Sequence, residues 1–272
     1  MKSRFVRKLV VYSIIAVLVV VYLFPLFYVF NTSLKTDSEF IRNTTSIAKD
    51  LHFENYVEAW NTAKFGKYVL NSLFYMIVST VLSLLLAVFL AFPIARNYFK
   101  YGNFIYLLFL AGMFLPDGTI PQFRLLLNLG LYDTRTGYML GFIGGGGVTL
   151  FMFVSYIKGI PKELDEAAAI DGCGYFTYIF KILIPLMKPA ISSMAILQSL
   201  NVWNDILRSV IYLSKDNILP MTRGLYNFTG SFNNTVTLQM AALIIVAAPI
   251  ILIYIFLQKY IIDGTLSGGI KG

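Results

Sequence analysis

Residues 9–30 read LVVYSIIAVLVVVYLFPLFYVF, a run of 22 residues without a charged side chain. A helix rises about 1.5 Å per residue, so this run can cross the hydrocarbon layer of a bilayer, which is about 30 Å thick. Four basic residues precede the run, as in a signal peptide, but a signal peptide has an apolar core of only about 7–15 residues. We therefore predict an uncleaved first membrane span.

The rest of the chain has the composition of a protein surrounded by lipid. Of its 272 residues, 57% are hydrophobic and 13% are charged, whereas about a quarter of the residues of a soluble domain are charged. The net charge is +8, but the basic residues are scattered and flank apolar runs, which favours anchoring at the cytoplasmic face over nucleic-acid binding. No segment is large and polar enough to form a soluble catalytic domain.

Further apolar runs predict an all-α membrane protein with six transmembrane helices in a single domain, residues 1–272. The predicted spans cover residues 9–30, 69–95, 104–127, 138–157, 189–210 and 236–258. The third is a broken span, because its apolar run ends at Pro116-Asp117-Gly118, and we expect its remainder to be re-entrant or interfacial. With the N-terminus inside, the inner segments hold twelve basic residues and the outer segments ten. Both termini are then cytoplasmic, and residues 158–188 form a cytoplasmic loop between spans four and five.

That loop contains residues 161–172, PKELDEAAAIDG, which have the features of a short helix. Pro161 suits a first turn, and Glu163, Asp165 and Glu166 stand where carboxylates favour the positive end of the helix dipole. Alanines favour the helix, and Gly172 is a natural stop. Spacings of three and four residues put four side chains on one side: Leu164, Ala167, Ala168 and Asp171. Such a small face allows another protein to approach closely.

The same loop resembles the coupling-loop signature of permeases in binding-protein-dependent ABC importers. The match consists of Glu166-Ala167-Ala168, three residues, Gly172, nine residues, and Ile182-Leu183-Ile184-Pro185, with isoleucine where the family has leucine before the proline. Shorter resemblances extend along most of the chain: Asn55-Tyr56, Asn71-Ser72, Trp203-Asn204-Asp205 and residues 264–272, GTLSGGIKG. The tail resembles that of the smaller of two permeases in carbohydrate importers of the maltose and oligosaccharide type.

The resemblance implies a bacterial plasma-membrane permease that pairs with a second, related permease on two ATPase subunits. An extracellular binding protein would deliver a sugar. The coupling helix would fit a cleft on an ATPase subunit through six residues: Asp165, Glu166, Ala167, Ala168, Asp171 and Gly172. The ATPases would bind ATP and Mg²⁺, and this chain would be neither an enzyme nor a cofactor protein; its sequence has no Gly-x4-Gly-Lys-Ser/Thr pattern. Glu166 could alternatively cap its own helix.

Polar residues in the fifth predicted span suggest a substrate pathway. Gln198, Asn201 and Asn204 share a face, with Asp205 beside it. Amides and the ring of Trp203 suit sugar hydroxyls and sugar faces. The competing interpretation, which we favour, is structural: hydrogen bonds between helices, or an ion pair of Asp205 with the arginine three residues later.

Two further contacts are implied by the resemblance. The outer loop around Gly230, Ser231, Phe232 and Asn233 would reach into the binding protein, although a plain connecting turn is the alternative. The tail residues Gly268, Gly269 and Lys271 would contact the ATPases.

Two other classes of protein are weighed against the permease. An ion-coupled secondary transporter needs ionisable residues inside its spans, and Asp205 is essentially the only one. A membrane enzyme needs a nucleophile, a metal cluster or paired carboxylates, and the acidic residues of the loop have only the isolated Cys173 near them. Importers of oligosaccharides, disaccharides and glycerol phosphate share the permease pattern, so the substrate is left open.

Overall fold

The computed structural model describes residues 2–116, 118–144, 147–228 and 235–268, with side chains described between residues 8 and 255 of those ranges. Every regular element in these ranges is helical, which confirms the prediction of an all-α protein.

The three longest helices correspond to the first, second and sixth predicted spans. They are α1 (Lys2–Ser33), α4 (Phe65–Arg96) and α14 (Val236–Gly268). Within the described ranges, the stretches Lys8–Ser33, Phe65–Arg96 and Val236–Ile255 are long and apolar enough to cross a membrane. Each of the three helices contains one proline, which such a helix tolerates when its neighbours satisfy the freed carbonyl.

Shorter helices connect or complete these elements. Between α1 and α4 lie α2 (Asp37–Arg42) and α3 (Glu54–Thr62), and after α4 come α5 (Gly102–Gly112), α6 (Thr119–Asn128), α7 (Arg135–Ile143) and α8 (Gly147–Lys158). The predicted loop contains α9 (Glu163–Ile170), α10 (Tyr175–Tyr178), a π-helical turn (Ile179–Leu183) and α11 (Ile184–Leu186). They are followed by α12 (Lys188–Trp203), α13 (Leu207–Tyr212) and two 3₁₀ segments, Asp216–Ile218 and Met221–Phe228.

The third, fourth and fifth predicted spans are interrupted. The third consists of α5 and α6 with a break between them, and the fourth consists of α7 and α8, which flank residues 145–146. Just before the fifth begins at residue 189, the chain bends by 83° between Tyr175–Leu186 and Lys188–Trp203. Helix α12 then ends at Trp203, before residue 210, because the chain turns there and α13 begins at Leu207. Counting each bent pair as one span gives up to five candidates in the described ranges, with α5 as a shorter apolar helix.

The chain divides into two compact units, residues 1–66 with 224–249, and residues 67–223 with 250–272. In the first unit, the chain folds back around the end of α1. The amide of Asn55 donates to the carbonyls of Ser33 and Lys35 at 2.8 Å each, and the hydroxyl of Tyr56 lies 2.7 Å from that of Ser33. The pair Asn55-Tyr56, one of the shorter resemblances to the permease family, therefore has a structural role.

The second unit holds a core in which α4, α8 and the predicted loop meet. Phe153 of α8, together with Ile179, Leu183 and Met187 beyond α9, is completely buried. They pack in one cluster with residues of α4 such as Phe92. Burial of such side chains contributes about 1.5–3 kcal/mol each, so the loop is firmly attached to these helices.

Candidate functional site

Helix α9 forms where the sequence predicts a helix. It begins at Glu163, and the carbonyl of Lys162 accepts the N–H groups of Asp165 and Glu166 at 2.9 and 3.2 Å. Pro161 therefore lies just before the helix and not in its first turn. The three acidic residues of the first turn offset the positive end of the helix dipole.

The end of α9 is a Schellman turn. Gly172 has a φ of +72°, its N–H donates to the carbonyl of Ala169 at 3.1 Å, and the N–H of Cys173 donates to the carbonyl of Ala168 at 2.9 Å. Glycine suits this position because it adopts a positive φ without a clash of a Cβ. The direction in which the chain leaves α9 thus depends on Gly172.

The two sides of α9 have different surroundings. Four of the predicted contact residues are exposed: Glu166, Ala167, Asp171 and Gly172. The other two turn towards the chain, since Ala168 is buried and Asp165 is half-buried. Ile170, which is not among the predicted contact residues, is 86% exposed. The available signal for it was that, with Leu164, it is one of two large apolar side chains on a helix of acidic and small residues.

Asp165 turns inward because it pairs with Arg96, the last residue of α4. The Nε and Nη2 atoms of Arg96 lie 2.5 and 3.1 Å from the carboxylate oxygens, and the two side chains are 2% and 11% exposed. Nη1 of Arg96 donates to the carbonyls of Ile157 and Ile160 at 3.1 Å each, and the hydroxyl of Tyr178 donates to Asp165. A buried ion pair needs such additional hydrogen bonds to offset its desolvation. We call Arg96, Asp165 and Tyr178 the Arg96 cluster.

Tyr98, in the turn after α4, is close enough to this cluster for the charges of Asp165 and Arg96 to affect it. Burial, and after it the negative charge of Asp165, raise the pKa of Tyr98, whereas Arg96 lowers it. The ring of Tyr98 packs edge-on against Phe92, with centroids 5.4 Å apart. The phenol therefore stays neutral at physiological pH and adds no charge to the ion pair.

Aromatic rings make a second attachment of the loop to α4. Phe92 of α4 stacks on Tyr178 at 5.1 Å between centroids and tilts over Tyr175 at 5.8 Å. One turn earlier, Phe89 meets Phe176 edge-on at 5.8 Å. Such pairs contribute about 0.5–1.5 kcal/mol each beyond the burial of their area. This cluster could not be predicted from the sequence, because its α4 members and its loop members are more than 80 positions apart.

The predicted substrate residues divide between a groove and the interior. A groove of about 600 Å³ runs along the end of α12. Its lining consists of Leu197, Leu200, Asn201, Asn204, Asp205, Ile206 and Leu207. Asn201 and Asn204 are exposed in it. Gln198 instead donates to the carbonyl of Phe142 at 3.1 Å, and Trp203 is 2% exposed.

Asp205 has a capping geometry at the start of α13. Its carboxylate accepts the N–H groups of Ser209 at 3.0 Å and Arg208 at 3.4 Å, and the hydroxyl of Tyr138 at 3.0 Å. Its carbonyl accepts the hydroxyl of Thr222 at 2.9 Å. These contacts agree with the structural interpretation of Asp205, because they join the turn after α12 to α13 and to Tyr138 of α7.

The pair Asn71-Ser72 also has a structural role, because it forms hydrogen bonds with a distant segment of the chain. The amide of Asn71 donates to the carbonyls of Asn217 and Leu219 at 3.0 Å each, and the hydroxyl of Ser72 accepts the N–H of Met221 at 2.7 Å. The first turns of α4 therefore hold the segment that follows α13.

Asp133 makes a similar attachment from the turn after α6. Its carboxylate accepts the N–H groups of Ser214 at 2.8 Å and Lys215 at 3.0 Å. Burial raises the pKa of Asp133, but these hydrogen bonds and the charge of Lys215 lower it more, so the pKa lies below its usual value. The attachment is therefore made by the ionised carboxylate.

Two predicted contact sets lie outside the described residues. They are Gly230, Ser231, Phe232 and Asn233 of the outer loop, and Gly269 and Lys271 of the tail. Gly268 is the last residue of α14.

Known proteins similar to this chain match it over most of its length. Residues 63–266 match the family described as binding-protein-dependent transport system inner membrane component. An arabinooligosaccharide transport system permease of Bacillus subtilis strain 168 is 36% identical, over 92% of this chain and 91% of the relative. A melibiose, raffinose and stachyose import permease of the same organism is 30% identical, over 94% of each chain.

A solved structure has the same fold as this chain. It is a chain of a bacterial ABC transporter involved in the import of the acidic polysaccharide alginate. The two chains superpose with a TM-score of 0.86 at 22% identity, over 96% of this chain and 98% of the other. Because the family match covers most of the chain, it favours the permease over the ion-coupled transporter and the membrane enzyme. The chain belongs to the inner-membrane components of binding-protein-dependent ABC importers, and it is the multi-pass permease subunit of such a system, with the ATPase on a separate subunit.

Proposed function

We propose that this chain is one of two related permeases that import a sugar or oligosaccharide delivered by an extracellular binding protein. The named substrates of its relatives, arabinooligosaccharides and the melibiose, raffinose and stachyose group, support a carbohydrate. In this proposal six spans place both termini in the cytoplasm, with α5 and α6 together as the third. Two ATPase subunits bind ATP and Mg²⁺ below the pair of permeases.

In this proposal α9 is the coupling helix. The observation that carries the proposal is the division of its surface: one side is fixed to the chain through Asp165 and Ala168, while the other exposes Glu166, Ala167 and Ile170. A short helix with one fixed side and one small, partly apolar open side is suited to enter a cleft of a second protein. The tail residues Gly268, Gly269 and Lys271 remain the predicted contacts with the ATPases, and the outer-loop residues 230–233 remain the predicted contacts with the binding protein.

We further propose that sugar passes the groove at the end of α12. Asn201 and Asn204 present amide groups that donate and accept hydrogen bonds, as sugar hydroxyls require. Asp205 contributes by fixing the turn between α12 and α13, because its carboxylate is occupied by backbone N–H groups and Tyr138.

Purification and reconstitution test the function directly. The chain, expressed with its natural partners, should bring a homologous permease and ATPase subunits through purification. In liposomes with the binding protein, ATP hydrolysis should rise with one carbohydrate from a panel of pentose, galactose-containing and glucose oligosaccharides. Uptake that persists without nucleotide, or that follows an ion gradient, would contradict the proposal.

A further inference from the structure

We propose that α9 and the end of α4 move as one body, and that Arg96 and Asp165 are positioning residues that pass a displacement of α9 to the second span. This inference rests on the proposed docking of α9 to an ATPase subunit. It adds the route by which the displacement enters the membrane.

The first support is the number of elements that Arg96 joins. Its guanidinium bonds Asp165 of α9, the carbonyl of Ile157 in α8 and the carbonyl of Ile160 in the following turn. Both charged side chains are almost excluded from water. Separating them would leave buried charges without partners, so a movement of α9 carries the end of α4 with it.

The second support is that the aromatic attachment acts on the same part of α4. Phe92 lies one turn before Arg96 and stacks on Tyr178, whose hydroxyl donates to Asp165. Tyr178 thus belongs to both attachments. The ion pair and the aromatic contact, on neighbouring turns of α4, together resist rotation as well as translation of the loop.

The covalent route from α9 to α12 is more compliant by comparison. It passes through Gly172 with its positive φ, the π-helical turn Ile179–Leu183 and the bend of 83° around Met187. A π-helical turn and a sharp bend are places where the regular hydrogen-bond ladder is interrupted. A push on α9 therefore has a direct route to α4 through the ion pair and a longer, irregular route to α12 along the chain.

Distance measurements on the assembled complex test whether the two elements move together. In a Cys173→Ser background, spin labels are placed at two exposed positions, Lys100 after α4 and Glu163 at the start of α9. We expect the distance between the labels to be the same without nucleotide and with ATP bound. In Arg96→Met the distribution of this distance should become broader, and its mean should depend on nucleotide. A label distance that changes with nucleotide while Arg96 and Asp165 are intact would overturn the inference.

A double-mutant cycle provides the second test. Arg96→Met and Asp165→Leu each leave a buried charge unpaired, whereas the two changes together replace the pair by apolar side chains of similar size. Each single variant should lose at least about tenfold in uptake, and the double variant should recover most of that loss. All three should retain the ATPase subunits in purification. A double variant no better than the single variants would overturn the inference.

The same purification separates this inference from the proposed function. If Asp165→Leu loses the ATPase subunits while Arg96→Met retains them, Asp165 contacts the ATPase directly and the inference fails. If a polar substitution at the exposed Ile170 also leaves ATPase binding intact, the docking of α9 itself is in question, whatever the distances between the labels.

Discussion

Replacing Gly172 by alanine should weaken the end of α9 without a steric clash. No atom would lie within 4 Å of the added Cβ, so the change acts through the backbone alone. A residue with a side chain pays about 1–2 kcal/mol in the left-handed conformation that φ = +72° requires. That energy corresponds to about a 5- to 30-fold rise in the population in which the Schellman turn is open.

Hydrogen exchange on the purified complex measures this opening. The N–H groups of Gly172 and Cys173, which close the turn, report the wild-type rate. In Gly172→Ala, the amides of Cys173 and of the last turn of α9 should exchange about 5- to 30-fold faster. Uptake should fall with them, because the exposed side of α9 is no longer held in one orientation. A bulkier residue at this position should abolish uptake and leave membrane insertion intact.

Two glycines of the same chain serve as matched controls. Gly174 also has no atom within 4 Å of an added Cβ, but its φ is −69°, so Gly174→Ala should exchange like the wild type. Gly130 has a φ of +68° and equally open space, so Gly130→Ala has the same strain after α6. Equal exchange of the α9 amides in Gly172→Ala and Gly174→Ala would refute the reasoning, as would a loss of uptake of the same size in Gly130→Ala.

Three further predictions concern the open surfaces and the outer turn. Ile170→Ser should reduce the ATPase recovered with the permease, whereas Ile41→Ser, at a similarly exposed site between α1 and α4, should not; equal recovery in both would remove Ile170 from the docking surface. Asn201→Ala and Asn204→Ala should raise the KM of uptake at least as much as they lower kcat, and an unchanged KM in both would exclude sugar contacts in the groove. Because the pKa of Asp133 is lowered in the folded chain, its contribution to stability is complete above the unfolded value of about 3.9 and is lost as the pH falls through the folded value. Thermal unfolding scans between neutral and acid pH should show this acid-side loss in the wild type and less of it in Asp133→Asn, and identical profiles would contradict it.

The long helices could be predicted from the sequence because each is determined by one continuous run of residues. Runs of apolar residues of membrane-spanning length predict α1, α4 and α14, although α1 begins 7 residues before its predicted span and α14 ends 10 residues after its own. The helix α9 is equally local: acidic residues at its start, alanines in its middle and a glycine at its stop lie within ten positions. Proline was the exception, because Pro161 fixes the turn that precedes the helix instead of its first turn.

Elements that depend on distant partners could not be predicted in this way. Nothing in the local pattern requires the bend at Met187, which precedes the fifth predicted span, or the end of α12 at Trp203 within that span. Asp205, just after α12, accepts N–H groups of α13 and also the hydroxyl of Tyr138, which is 67 positions away. Arg96 was counted as one of the basic residues of the inner face, since a single arginine after a span is typical of that face. Its carboxylate partner stands 69 positions away.

The position of Asp165 on α9 also explains how the six predicted contact residues divide between an open side and an inward side. Residues 164, 167 and 171 recur at helical spacing and all face outward, while residues 165 and 168 recur at the same spacing about 100° further round and face inward. Small size alone could not separate Ala167 from Ala168, because alanine suits both a close contact with another protein and a buried position against α4 and α8. The charge next to them does separate them: a carboxylate buried against Arg96 fixes the rotation of the whole helix, and with it the choice of which alanine remains open. The ion pair, about 100° round the helix from the open residues, thus determines which residues of α9 remain exposed for the proposed docking to an ATPase subunit.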